Sequence, residues 1–230
     1  MNLIAPHPWD LSPAEMVAVQ RELAGRVACE GPPVVTGRIA GVDVGFEDGG
    51  RLTRAAAVVL DMPSRVVVDM ALARVPTTLP YIPGLLAFRE LPAVLEALGQ
   101  LQSVPDLLMC DGQGIAHPRR LGIAAHLGVT TGLPSIGVGK TRLCGHHADV
   151  PDVRGAWVPL EDRGEVIGAV LRTRVGVKPV YVSIGHRMGL EAAVASVMAA
   201  LTRYRLPAPI RAAHRQASRT ASLGLGMRID

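Results

Sequence analysis

The chain has 230 residues, of which 49% are hydrophobic and 19% charged, with a net charge of +4. So much apolar content at so little net charge excludes a disordered chain, and at this length about 70–75% of the unfolded surface can be buried in one globular domain. Three scattered cysteines, Cys29, Cys110 and Cys144, exclude a disulfide framework and point to a reducing compartment.

Asp10 and Glu15 interrupt any N-terminal apolar run, so no secretory signal fits and a cytoplasmic protein is expected. The longest uncharged stretch, Leu121 to Gly139, carries five glycines, a proline and a histidine, which makes a poor membrane span. All but Lys140 and Lys178 of the 24 basic residues are arginines. Arginine forks match phosphate oxygens and tilt the reading toward nucleic acid, although GC-rich coding produces the same bias.

In chain order, Met16, Val19, Leu23 and Val27 stand at helical spacing, which predicts a helix over 13–28 with Ser12 as its cap. Apolar segments at 38–46, 53–60 and 65–75 are separated by Glu47-Asp48-Gly49-Gly50 and Asp61-Met62-Pro63-Ser64, which predicts an antiparallel meander of three strands. Beyond Val75 the pattern alternates: a helix face at Leu91, Leu95 and Leu98, a buried strand at 106–110, a helix over 119–127 and a strand at 135–138. Such alternation implies parallel strands with crossover helices. Further strands are expected at 165–173 and 179–184, then a helix from about 190 to 204. Together these elements predict an α/β fold of ribonuclease H-like layout, a mixed sheet of three antiparallel and then parallel strands flanked by helices. One domain over 1–230 is expected, with a helical extension over about 10–30 and a flexible tail over 220–230.

Three acids stand where chemistry is carried. Asp43 lies mid-strand in Gly41-Val42-Asp43-Val44-Gly45 and shares a face with Ile39, Gly41 and Gly45, the glycines leaving open space around the carboxylate. Asp111 ends the strand Leu107-Leu108-Met109-Cys110 and opens a glycine turn, the place where α/β sheets hold ligands. Glu90 opens the first crossover helix. Each has a bland reading alone, as a turn aspartate or a helix-start glutamate. In a ribonuclease H-like sheet the three elements are neighbours, so the carboxylates can converge on hard cations such as Mg2+ or Mn2+, a pair of which about 3.5–4 Å apart activates water at a phosphodiester.

Other segments support a nucleic-acid partner. Pro80-Tyr81-Ile82-Pro83-Gly84 stiffens an exposed Tyr81–Ile82 tip suited to wedging between stacked bases, although a buried anchoring tyrosine is equally compatible. His117-Pro118-Arg119-Arg120 reads as a helix start whose free N–H groups and arginines would hold a phosphate. Lys140 ends a strand and reads as a phosphate or transition-state contact, whereas His214, among Arg211, Arg215 and Arg219, reads as solvated surface. A phosphate-binding P-loop fails at Pro134, and the dinucleotide fingerprint fails at His117. Cys144, His146 and His147 are too tightly spaced for zinc, and Ser135 lacks the glycine of a hydrolase elbow.

Taken together, Ile39-Ala40-Gly41-Val42-Asp43-Val44-Gly45-Phe46, Pro80–Gly84, Phe88-Arg89-Glu90, Asp111–Gly114, His117–Gly122, Ile136–Lys140, Gly185-His186-Arg187 and Tyr204–Pro207 resemble the bacterial endonuclease V family over roughly residues 10–215. The resemblance implies Mg2+-dependent incision, with Mn2+ able to substitute, at the second phosphodiester 3′ to deoxyinosine in DNA. It implies that Asp43, Asp111 and Glu90 bind metal, that His214 and Lys140 complete the catalytic set, and that Tyr81, Ile82, Pro83, His117, Arg119 and Arg120 meet DNA. Leu86, Gly112, Ile123, Gly137 and Leu143 would line the pocket for the everted hypoxanthine. Two positions depart from the common family pattern: Gln113 stands where many members have histidine, and Gly139 where many have alanine. The expected state is a monomer. An inosine-specific ribonuclease and a non-catalytic nucleic-acid binder on the same fold are the alternatives; the second would not need three convergent acids.

Overall fold

The computed structural model describes residues 6–218 and 223–230. Helix α1 runs over Pro13–Ala24. The Ser12 hydroxyl accepts the Glu15 N–H and the Glu15 carboxylate accepts the Ser12 N–H, a reciprocal cap that fixes where the helix starts. It ends short of the expected Ala28.

Strands β1 (Gly37–Glu47), β2 (Leu52–Met62) and β3 (Val66–Pro76) form the expected antiparallel meander. The β1–β2 turn passes through Gly49 and Gly50 with φ of +66° and +91°, which the absence of a Cβ permits. Helix α2 (Leu86–Gly99) leads to β4 (Leu107–Cys110), and α3 (Ile123–Thr131) leads to β5 (Ser135–Gly139). β4 runs parallel to β1, and β5 parallel to β4.

The structure corrects the expectation in several places. Helix α3 begins at Ile123 rather than Arg119, so His117–Arg120 is a turn and not a helix start. β6 (Trp157–Asp162), which the sequence reading lacked, pairs with β7 (Glu165–Leu171), and β7 with β8 (Val180–His186), each antiparallel. β8 also runs antiparallel to β5, so the parallel run stops there. Helix α4 ends at Ala199 after starting at Leu190, and a further helix, α5 (Ala208–Ala217), follows.

The result is one eight-stranded sheet of order β3-β2-β1-β4-β5-β8-β7-β6, of the ribonuclease H-like type. One face buries Ile39, Val58 and Met109 against α4 and α5; the other buries Ala40, Val42 and Leu108 against α2 and α3. Helix α1 lies outside α3, where Leu23 meets Leu121 and Ala125.

Residues 220–222 of the expected tail lie outside the described residues. Residues 223–230 are docked rather than loose: Ile229 is fully buried, its N–H donates to Arg65 O, and the Val67 N–H donates to Met227 O along the β3 edge. Among the described residues, no helix is long and apolar enough to cross a membrane.

Candidate active site

The site forms where β1 outruns β4. Val42 pairs with Cys110, the last residue of β4, so Asp43 and Asp111 are the next residues along two adjacent parallel strands. Glu90 reaches the same end of the sheet from α2, where it is buried. A carboxylate cluster at the carboxyl ends of parallel strands is the usual ligand position of open α/β sheets.

The space beside Asp43 is not open. A Cβ on Gly41 would stand 1.9 Å from Pro209 O, and one on Gly45 would stand 2.6 Å from Ala217 O. These glycines therefore let the backbone of α5 lie directly on β1, at both ends of the helix. That contact delivers His214, whose Nδ1 lies 2.7 Å from Asp43 Oδ2. The expectation that His214 is ordinary solvated surface is thus replaced by a defined partner, though its side chain stays 53% exposed. Lys140, at the end of β5, places its Nζ on Asp111 Oδ2.

Crowded negative charge marks the cluster electrostatically. Burial pushes the Glu90 carboxyl up to about 8, and the Asp43 and Asp111 carboxylates push the same way against the opposing pull of Arg89. Burial and Asp111 likewise raise Asp43, while the His214 hydrogen bond lowers it. Among the described residues no group of His, Cys, Asp and Glu is arranged as a ready-made metal cluster. Instead Asp43 is engaged by His214 and Asp111 by Lys140. The donor set is nonetheless all oxygen, and the mutual repulsion that raises Glu90 and Asp43 is what a hard divalent cation would offset.

Beside the acids lies a cavity of about 300 Å3, lined by Asp111, Lys140, Leu86, Gly112, Ile123 and Leu143 among others. Four of the five expected base-pocket residues therefore line it. The fifth, Gly137, lies beneath it: a Cβ there would meet Gly114 N at 2.5 Å and Gly112 O at 2.7 Å, so the glycine lets the 112–114 turn settle onto β5.

The Pro80–Gly84 loop forms the rim. Tyr81 is 63% exposed at the mouth of the cavity, but Ile82 is partly buried against Met16, Leu85 and Phe88. The exposed tip is therefore Tyr81, with Pro83 also exposed, and Ile82 is its anchor.

The His117–Arg120 segment does not present the free donors expected of it. The Arg119 N–H donates to His117 Nδ1, leaving the neutral ring's Nε2–H to donate to Gly84 O at 3.1 Å. Burial and the neighbouring Arg119 hold His117 down at about 4, consistent with a neutral imidazole. Arg119 reaches the same oxygen at 2.7 Å, and Gln20 Nε2 reaches it at 2.9 Å. Three donors thus converge on one carbonyl of the tyrosine loop. Arg120 is turned away and pairs with Asp162 and Glu165. Gln20 was missed from sequence, although a glutamine between Met16 and Leu23 on an apolar helix face was a usable signal.

The Endonuclease V family model matches residues 21–215. An endonuclease V of Azotobacter vinelandii is 61% identical over 213 residues, covering 93% of this chain and 96% of the relative. Among solved structures, the endonuclease V of Streptomyces avermitilis gives a TM-score of 0.88 at 46% identity, covering 96% of this chain and 97% of its own. The endonuclease V of Ciona intestinalis, in complex with a 24mer DNA containing an inosine followed by a ribo-adenosine, gives 0.77 at 26% identity over 90% of this chain and 96% of its own. With a family match over most of its length and that degree of identity, this chain belongs to the endonuclease V family.

Proposed function

We propose that the protein is a repair endonuclease that takes a deaminated base, chiefly the hypoxanthine of deoxyinosine, into the cavity beside its acids and hydrolyses the second phosphodiester 3′ to it. The observation that carries this reading is the adjacency of the two features: Asp111, a member of the carboxylate cluster, and Lys140, its ion-pair partner, both line the cavity. A base held there leaves its own strand beside Asp43, Glu90 and Asp111. The Ciona intestinalis complex with inosine-containing DNA supports the same assignment.

Asp43, Asp111 and Glu90 would hold Mg2+, or Mn2+ in its place; when bound, the ion polarises the phosphodiester and lowers the pKa of attacking water. Lys140 supplies a second positive charge toward the reacting phosphate from its place on Asp111. His214, half-exposed and held by Asp43, can carry a proton between the site and solvent. Leu86, Ile123 and Leu143 supply an apolar wall for the base, and Tyr81 fills the gap it leaves in the stack.

The test is incision of a labelled duplex bearing one deoxyinosine, in Mg2+ and in EDTA, with Asp43→Ala beside the wild type. Magnesium-dependent cutting immediately 3′ to the lesion's 3′ neighbour, lost in the variant, is the expected result. Cutting that persists in Asp43→Ala would remove the carboxylate cluster from the reaction. The ribo-adenosine after the inosine in the Ciona intestinalis complex favours one second reading, cleavage of inosine-containing RNA. Matched RNA and DNA oligonucleotides separate the two.

A further inference from the structure

A second depression, of about 720 Å3, lies on the far side of the 140–142 segment from the base cavity. The two share Lys140, Thr141 and Arg142 as a common wall. The opposite wall carries Lys178 and Tyr181. Both lysines of the chain therefore line one groove that begins at the carboxylate cluster.

Internal arginines hold this groove open. Arg205 donates to Lys140 O at 2.7 Å and to Pro179 O at 2.8 Å, fastening one wall to the other. Arg172 ties its far end, donating to Val150 O at 3.0 Å and pairing with Asp152. With those guanidiniums spent on structure, the cations left to act on a ligand are exposed Arg142 and Lys178, neither of which makes an ion pair among the described residues. Asp149 is the only acid among the lining residues. A cation-bordered depression next to a phosphodiester-cutting centre suits the charge of a sugar-phosphate chain.

We propose that this groove carries the strand that continues past the reacting phosphodiester, with Arg142 and Lys178 holding successive phosphates. The proposal rests on the nuclease reading above and names the path of its substrate.

The test separates binding from incision. Anisotropy of a fluorescent oligo-dT without inosine, in EDTA, is compared for wild type, Lys178→Glu, Arg142→Glu and the charge-matched control Arg38→Glu at the opposite end of β1. Folding is checked by thermal melting. Each groove variant should bind about five- to tenfold more weakly than the control, with the log–log salt slope shallower by about 0.7 per lost phosphate contact. With inosine oligonucleotides trimmed from either end, Lys178→Glu should cut more slowly only while one particular flank is long enough to enter the groove. Equal binding losses in Lys178→Glu and Arg38→Glu, or a rate defect indifferent to flank length, would overturn the proposal. If the wild type bound oligo-dT through the groove but never cut at inosine, the groove would stand and the nuclease reading would fall.

Discussion

Gln113 occupies the volume that a side chain at position 139 would need. A Cβ on Gly139 would stand 2.2 Å from Gln113 Nε2, the nitrogen that donates to Thr141 O at 2.9 Å. Both residues line the cavity beside the acids. The two positions are therefore coupled: glycine at 139 gives room to the glutamine that braces the 139–141 segment.

Gly139→Ala should therefore displace the Gln113 amide and cost about 1 kcal/mol, the net worth of one hydrogen bond. In a Gln113→Ala background the same substitution should cost little, because the obstacle is gone. Chemical denaturation of the four proteins measures this coupling. Additive effects, within about 0.5 kcal/mol, would show that the two positions act independently.

The α5–β1 contact gives a second prediction. Gly41→Ala drives a methyl group against a backbone carbonyl, which cannot rotate away, so α5 must lift and carry His214 from Asp43. A stability loss of about 1–3 kcal/mol is expected, together with loss of incision. Gly99→Ala, at the end of α2 with nothing within 4 Å of the added carbon, is the control and should be neutral or stabilising. Matching losses in both variants would contradict the contact argument.

Three donors on Gly84 O make the tyrosine loop rigid, and Gln20 is the donor farthest along the chain from the acids. Gln20→Leu keeps the volume in the α1 interior but loosens the loop. Incision of inosine in duplex DNA, where a wedge must enter the stack, should fall severalfold. Incision of the same sequence as a single strand should change much less. A parallel loss on both substrates would mean that Gln20 only supports folding.

Acid should unfold the protein through two buried imidazoles. Burial, reinforced by His7, holds His126 down at about 3, and burial with Arg119 holds His117 at about 4. Both lie below the ordinary histidine value near 6.5, so the unfolded chain binds more protons between these limits and stability drops as the pH falls below about 6.5. The contribution is fully present only above that value. His126→Phe should remove part of this acid sensitivity, on the order of 2 kcal/mol between pH 7 and 4.5, in melts followed by circular dichroism. An unchanged pH profile in the variant would show that His126 is not the responsive group.

Much of the architecture was legible because it is local. The β1–β3 meander shows as apolar runs broken by turn residues, and Asp43 within a strand and Asp111 just past one are visible because strand periodicity is written in neighbouring residues. The Ser12–Glu15 cap is likewise contained within four residues. What the sequence did not disclose depends on segments far apart in the chain. Gly41 and Gly45 resemble clearance for a ligand until α5, some 170 residues later, is seen pressed against them. His117 and Arg119 resemble free donors until each is seen to hold the Gly84 carbonyl. Composition and periodicity determine which elements form and which groups they carry. Whether a donor is free, a glycine empty or a histidine paired is decided by packing, because each depends on which atoms from another element reach that space first.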